Sequence, residues 1–372
     1  MSIVVTNVVL HRVRVPLVEP FRISNGVVAE KDAILIELTT AEGIVGCGEA
    51  SPMSGSFYSA ATPDGSWTAL REQLVPALLS AGEVDPAAFY EFLREQPADH
   101  FAKAGIEGAL WDAYANAGQR SLCELFGIER RPVPSGVAIG IFETIDELIE
   151  RVRHYVAEGY QRVKIKIQPG WDVEPVAAIR TQFPQVPLMV DANAAYTIDD
   201  LPVFIELDRF QLLMIEQPLA ASAIKEAGAL QAHLTTPLCA DESAESLTGL
   251  DQLIKQNAAR IVNIKVQRVG GLSEARLMLE TAYAAGLRCW AGTMPELGIA
   301  SAQALHLAMH RGFSFPTDIE ASSRWYVDDI IEPPFTIDRN GFIHLPPGPG
   351  TGFKVDCEKV ERYTTAVERF SL

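Results

Sequence analysis

The chain has 372 residues, 48% of them hydrophobic, and a formal charge of −17 from 31 basic against 48 acidic side chains. That length and apolar content support a large buried core and about two domains, or one barrel with additions. The charge excludes nucleic acid and anionic membranes as general partners, because like charges repel.

In chain order, residues 3–15 and 33–39 alternate apolar with polar side chains, the period of half-buried strands. Ala41-Glu42-Gly43 turns into a third strand at 44–48. The opening stretch carries Arg12 and Arg14 and lacks the apolar block of a signal peptide. No segment approaches the roughly 20 apolar residues that span a bilayer. Cys47, Cys123, Cys239, Cys289 and Cys357 are widely spaced, without a CxxC pair, and read as reduced thiols. A soluble, cytoplasmic protein is expected. From Trp67 to about Gly118 the pattern turns helical. Asp85-Pro86 marks one helix start, and Ile106, Leu110, Ala113, Tyr114 and Ala117 fall on one face of another helix. Residues 1–130 thus predict an α+β unit.

From Val133 short β-branched runs alternate with helical stretches at a nearly constant period. The runs are 133–139, 162–167, 188–191, 212–216, 237–241, 260–265, 287–292 and 314–319. Repeating βα units predict parallel strands, and eight of them predict a (β/α)8-type barrel over residues 131–320. Beyond it, Arg339-Asn340-Gly341 predicts a hairpin turn, and the tail, 321–372, is expected to rejoin the N-terminal unit. Residues 347–352 are glycine-rich, but no helix opening with Lys-Ser/Thr follows, so a plain turn is expected. His306 and His310 read as a packing pair on a helix, without an HExxH motif.

The chemistry collects where the runs end. Lys166, Asp191, Glu216, Asp241 and Lys265 follow one another at steps of 25, 25, 25 and 24 residues. Equal steps in a repeating fold place all five at one height, the C-terminal mouth where barrel enzymes keep their catalytic groups. Any one acid here could be a helix N-cap; five in this order point to a site. Asp191, Glu216 and Asp241, from three adjacent strands, are expected to converge and to hold Mg2+, or Mn2+ or another divalent ion. Lys166 and Lys265, four strands apart, are expected to face each other across the mouth. Such a pair can take a proton from the carbon next to a metal-bound carboxylate, give an enediolate, and return the proton or assist a leaving group. Metal, the neighbouring Lys164 and burial are all expected to lower the pKa of the base.

These residues resemble a known family. Lys164-x-Lys166, Asp191-x-Asn193, Glu216-Gln217-Pro218, Asp241-Glu242-Ser243 and Lys265 are similar to the motif set of the enolase superfamily, in its muconate-lactonising-like branch. Residues 166–175, 213–219, 268–272 and 321–324 resemble the o-succinylbenzoate synthase / N-succinylamino acid racemase group, and the likeness runs nearly end to end. The resemblance implies a modified (β/α)7β barrel with an α+β capping domain built from the N-terminal region and the tail. It implies a small carboxylate substrate and homo-oligomeric relatives. Lys164, Asn193, Glu242, Arg268, Met294 and Glu296 are implied around the reacting groups, Arg268 matching an arginine of members that racemise. Loops at residues 19–26 and 53–58, with Phe21, Ser24, Phe57 and Tyr58, are implied to cover the mouth and set specificity.

Two departures stand out. Leu297 replaces a small hydroxyl residue after the seventh run, and Ala138 replaces a serine in the first. Both remove hydrogen-bond donors and leave a dipeptide epimerase or muconate cycloisomerase open. A Schiff-base aldolase using Lys265, which leaves the three acids without a role, and a non-catalytic ligand-binding barrel, which the five intact ionisable positions argue against, are the readings from other classes.

Overall fold

The computed structural model describes residues 2–23, 26–53 and 59–372; Ser24, Phe57 and Tyr58 lie outside them. Three long strands open the fold: β1 (Ile3–Ile23), β2 (Gly26–Thr40) and β3 (Val45–Ala50). Burial along β1 changes phase twice, from Ile3 and Val5 to Val8 and Leu10, then to Val13, Val15 and Leu17. Each change coincides with a register shift, between Val5 and Asn7 against β2 and between Arg12 and Val13 against the C-terminal strand. One extra residue turns a period-two pattern over, so an apparently broken alternation still makes one strand.

Helix α1 (Pro86–Glu95) starts at Asp85, whose carboxylate accepts from the amides of Ala87 and Ala88. Helix α2 (His100–Ala117) is buried all round from Phe101 to Leu110, a wider contact than the single face expected from its sequence. It lies under β3, and the two backbones nearly touch: a Cβ on Gly48 would sit 2.0 Å from the Gly105 carbonyl and 2.6 Å from the Ala109 amide.

The second unit is a curled parallel sheet of seven strands in sequential order: β4 (Val137–Ile139), β5 (Val163–Lys166), β6 (Leu188–Asp191), β7 (Ile215–Glu216), β8 (Leu238–Ala240), β9 (Ile261–Ile264) and β10 (Arg288–Ala291). Amphipathic helices such as α3 (Ile145–Glu158) cover the outside, burying Leu148, Ile149, Val152 and Tyr155. The eighth run, 314–319, is not a regular strand. It meets one neighbour through an isolated parallel bridge, Ser135 with Thr317, and Phe313 just before it bridges Cys289 on the other. Proline at 316 has no amide to donate, which limits ladder formation there. Val133–Pro134, expected in the first barrel strand, instead pairs antiparallel with Phe342–Ile343 beyond the Asn340-Gly341 turn. Helix α4 (Leu272–Ala284) and helix α5 (Gly298–Ala308) follow β9 and β10 on the barrel wall. After helix α6 (Cys357–Tyr363), strand β11 (Thr364–Ser371) pairs antiparallel with β1. Among the described residues no helix is long and apolar enough to cross a membrane.

Candidate active site

Met189, Met214, Cys239, Ile261 and Trp290 form a buried cluster at the centre of the curled sheet. Two residues further along the same strands come Asp191, Glu216, Asp241, Asn263 and Gly292. Because side chains two apart share a strand face, these polar groups form the next layer above an apolar floor. Trp290 closes that floor under the cations: the Lys164 ammonium lies 4.9 Å and the Arg162 guanidinium 5.1 Å from its ring centre.

All the ionisable groups of this layer are buried, and each is answered by an opposite charge. Lys166 donates to Asp191 Oδ2 at 2.6 Å and to Asn193 Oδ1 at 2.9 Å. Lys164 is paired with Asp318 and lies 3.3 Å from Glu216 Oε2. Lys265 donates to Asp241 Oδ2 at 2.9 Å, and Arg268 to Asp241 Oδ1 at 2.6 Å. Asn263 donates to Glu216 Oε1 at 2.7 Å, and Asn193 to Glu242 Oε1 at 3.3 Å. Lys164, Lys166, Lys265 and Asp318 line one cavity of about 50 Å³, together with Phe21, Met53, Ala138, Thr293, Met294, Pro295 and Trp325.

Burial and neighbouring charge set the protonation states. Burial alone pushes Asp241 up, but Arg268 and Lys265 outweigh it and hold its carboxyl far below the usual range. Burial, then Asp191, raise Glu216 to about 7; burial, then Asp241, raise Glu242 to about 8. Burial works against the charge of Lys265, yet Asp241 keeps its pKa above the ordinary lysine value, and Asp318 with Glu216 does the same for Lys164. With the acids paired in this way, Lys164 and Lys265 are both held charged.

The same pairing bears on a divalent cation. Asp191 and Asp241 both lie near enough to Glu216 to raise its pKa, but among the described residues no three such side chains are set to grip one ion; each of these acids pairs with a lysine or arginine. The donor set nevertheless fits a hard cation. It is all carboxylate and amide oxygen. Two of its buried oxygens, Glu216 Oε2 and Glu242 Oε2, accept no hydrogen bond; the first has the Lys164 ammonium 3.3 Å away, and no ion pair is formed by the second among the described residues. A buried carboxylate left in that state is costly unless a positive charge answers it.

Of the residues singled out from sequence, Lys164, Lys166, Asp191, Asn193, Glu216, Asp241, Glu242, Lys265 and Arg268 fall in this one network, while Phe21 and Met294 line the cavity. Glu296 is turned to its own loop, accepting from the Met294 amide at 2.9 Å. Leu297 is buried away from the cavity, with its amide on Glu49. Asp318, Asn263 and Trp290 were not anticipated. Asp318 was within reach of the strand-end rule, since it closes the eighth run.

Residues 5–127 match the family described as mandelate racemase / muconate lactonizing enzyme, N-terminal domain, and residues 147–360 match the enolase C-terminal domain-like family. An o-succinylbenzoate synthase of Geobacillus kaustophilus is 40% identical over 370 residues, 100% of this chain and 98% of that one. An N-succinylamino acid racemase of an Amycolatopsis species is 41% identical over 362 residues, 97% of this chain and 98% of that one. The crystal structure of an enolase superfamily member from Listeria innocua superposes with a TM-score of 0.95 at 34% identity, covering 99% of each chain.

Proposed function

The chain belongs to the enolase superfamily, with the mandelate racemase / muconate lactonizing enzyme N-terminal domain, and from that premise we propose that it is a divalent-metal-dependent enzyme that moves the proton beside a substrate carboxylate. Its nearest reactions are those named for its relatives: formation of o-succinylbenzoate, racemisation of N-succinylamino acids, or both. The observation that carries this reading is that Lys166 and Lys265, from strands four apart, line a single small cavity above paired carboxylates.

Asp191, Glu216 and Asp241 would hold the ion. When bound, a divalent cation supplies positive charge to the substrate carboxylate as negative charge builds there. The protein's own groups do the rest. With the acids' charge answered, their pull on the neighbouring ammonium groups falls, and burial then favours the neutral amine a base must be. One of Lys166 and Lys265 takes the proton from its face of the carbon. The other returns a proton to the opposite face, giving racemisation, or assists departure of hydroxide, giving dehydration. Asn193 and Arg268 hold Lys166 and Asp241 in place. Phe21, Met53, Met294 and Trp325 exclude water from the cavity.

The test is exchange of the α-proton in deuterated buffer, with N-succinylamino acids and with the cyclohexadiene precursor of o-succinylbenzoate, in Mg2+ or EDTA. Metal-dependent exchange or turnover of either is expected; silence on both removes the substrate reading. A dipeptide epimerase or muconate cycloisomerase is the second reading. Ala138 favours it, because a methyl group faces the cavity there.

A further inference from the structure

Lys31, on β2, is 3% exposed, and among the described residues its ammonium pairs with no carboxylate. Instead it donates to three carbonyls: Ser51 at 2.8 Å, Pro52 at 3.3 Å and Met294 at 3.3 Å. The first two lie just past β3, in the N-terminal unit. The third lies in the loop after β10, at the barrel mouth. Met53, one residue beyond Pro52, and Met294 itself both line the cavity that holds Lys166 and Lys265. A buried ammonium without an ion partner is an expensive way to fill space, and its three donors radiating from one point are what a neutral side chain lacks.

The surrounding bonds join the same two walls. Gln267, two residues after Lys265, donates to the Glu49 carbonyl at 2.8 Å and accepts from the Ser51 amide at 3.0 Å. Glu49 accepts from the Leu297 and Ala300 amides, at 2.8 and 3.0 Å. These contacts fix the strand end and the helix start. Glu49 also accepts from the Ser51 hydroxyl, so it too ties the two segments; among the described residues Lys31 is the cation that donates to carbonyls in both, next to each of the cavity's methionines.

We propose that Lys31 is a positioning residue for substrate specificity, its three-carbonyl clamp holding the Met53 and Met294 walls of the cavity as one unit. This rests on the proton-transfer reading of the site, in which the lysines and acids engage the carboxylate and the methionines meet the remainder of the substrate. The clamp depends on charge. Burial lowers the Lys31 pKa to about 8, against the pull of Glu296, Glu49 and Asp32; Asp32 is itself paired with Arg12 and Arg14, and the Tyr326 hydroxyl caps the carbonyls of Pro295 and Glu296. Above that pH one donor and the charge are lost.

The test is Lys31→Met, read in two ways. Hydrogen exchange of the ligand-free protein should show segments 51–53 and 293–297 losing protection together, while the barrel strands keep theirs. For N-succinylphenylalanine KM should rise about tenfold, the worth of a charged hydrogen bond. For N-succinylalanine KM should move less than about twofold, and kcat for both should stay within about threefold. Unchanged protection, loosening of one segment only, equal KM losses for the two substrates, or a fall in kcat alone would each overturn the proposal. Failure of the wild type to turn over either substrate would count against the enzymatic reading and leave the exchange result to decide on Lys31. Should Lys31→Met not fold, Lys31→Arg serves. It keeps its charge, so its KM should stay flat from pH 7 to pH 9.5 while that of the wild type rises; parallel profiles would refute the clamp.

Discussion

Opposite charges inside a barrel define one another: Asp241 is held ionised by Arg268 and Lys265, and Lys265 is held charged by Asp241. Removing one member therefore does more than delete a contact. Lys166→Ala and Lys265→Ala should each lower turnover by about 10²–10⁴, the range for a general acid or base, in steady-state assays of α-proton exchange; a variant with near-normal turnover would remove that lysine from the chemistry. Asp241→Asn should weaken Mg2+ binding by calorimetric titration, and unchanged affinity would take it out of the ligand set. His306 offers a prediction on stability. Its Nδ1 accepts from the Cys123 amide and its Nε2 donates to the Thr351 carbonyl, so the fold needs a neutral ring. Burial lowers its pKa to about 4. Between pH 6.5 and 4 the unfolded chain binds a proton that the folded one does not, so stability falls as pH falls through that window, by about 3 kcal/mol in full. The stability advantage of wild type over His306→Gln, followed by melting temperature, should narrow from pH 7 to pH 4.5; a constant difference would contradict this.

At the level of elements, the Gly46-Cys47-Gly48 strand and the Gly105/Ala109/Ala113 stripe of α2 let sheet and helix backbones approach without side chains between them. The apolar periodicity of both elements is legible in the sequence, but their closeness is not, because glycine adds no hydrophobic signal. Gly48→Ala should destabilise by about 2–3 kcal/mol through overpacking, seen as a lower melting temperature; an unchanged midpoint would mean that the helix can yield. Within β1, the two phase changes explain why its sequence alternates cleanly only in pieces. The eighth barrel run shows the opposite case. It has the composition of a strand, yet its isolated bridge gives an irregular closing segment.

For the whole molecule, β11 pairs with β1 from Asn7 to Val13, so the last residues of the chain finish the sheet that the first residues begin. Truncation after Tyr363 bares a row of β1 amides and carbonyls, an edge that invites association. Size-exclusion chromatography should then show aggregates or altered oligomers, and an unchanged profile would show the edge to be protected otherwise. The sequence by itself determined the alternation of strand and helix, the parallel barrel, and the place of Lys166, Asp191, Glu216, Asp241 and Lys265 at the C-terminal ends of its strands. A βα unit has a nearly constant length, so spacing along the chain converts directly into position around the mouth. Only the tertiary structure decided which charges touch, that Asp318 and Trp290 complete the layer around Lys164, and that Lys31 reaches Ser51, Pro52 and Met294. Those contacts join segments up to 263 residues apart, and their strength depends on burial and exact separation, quantities that no local pattern of residues encodes.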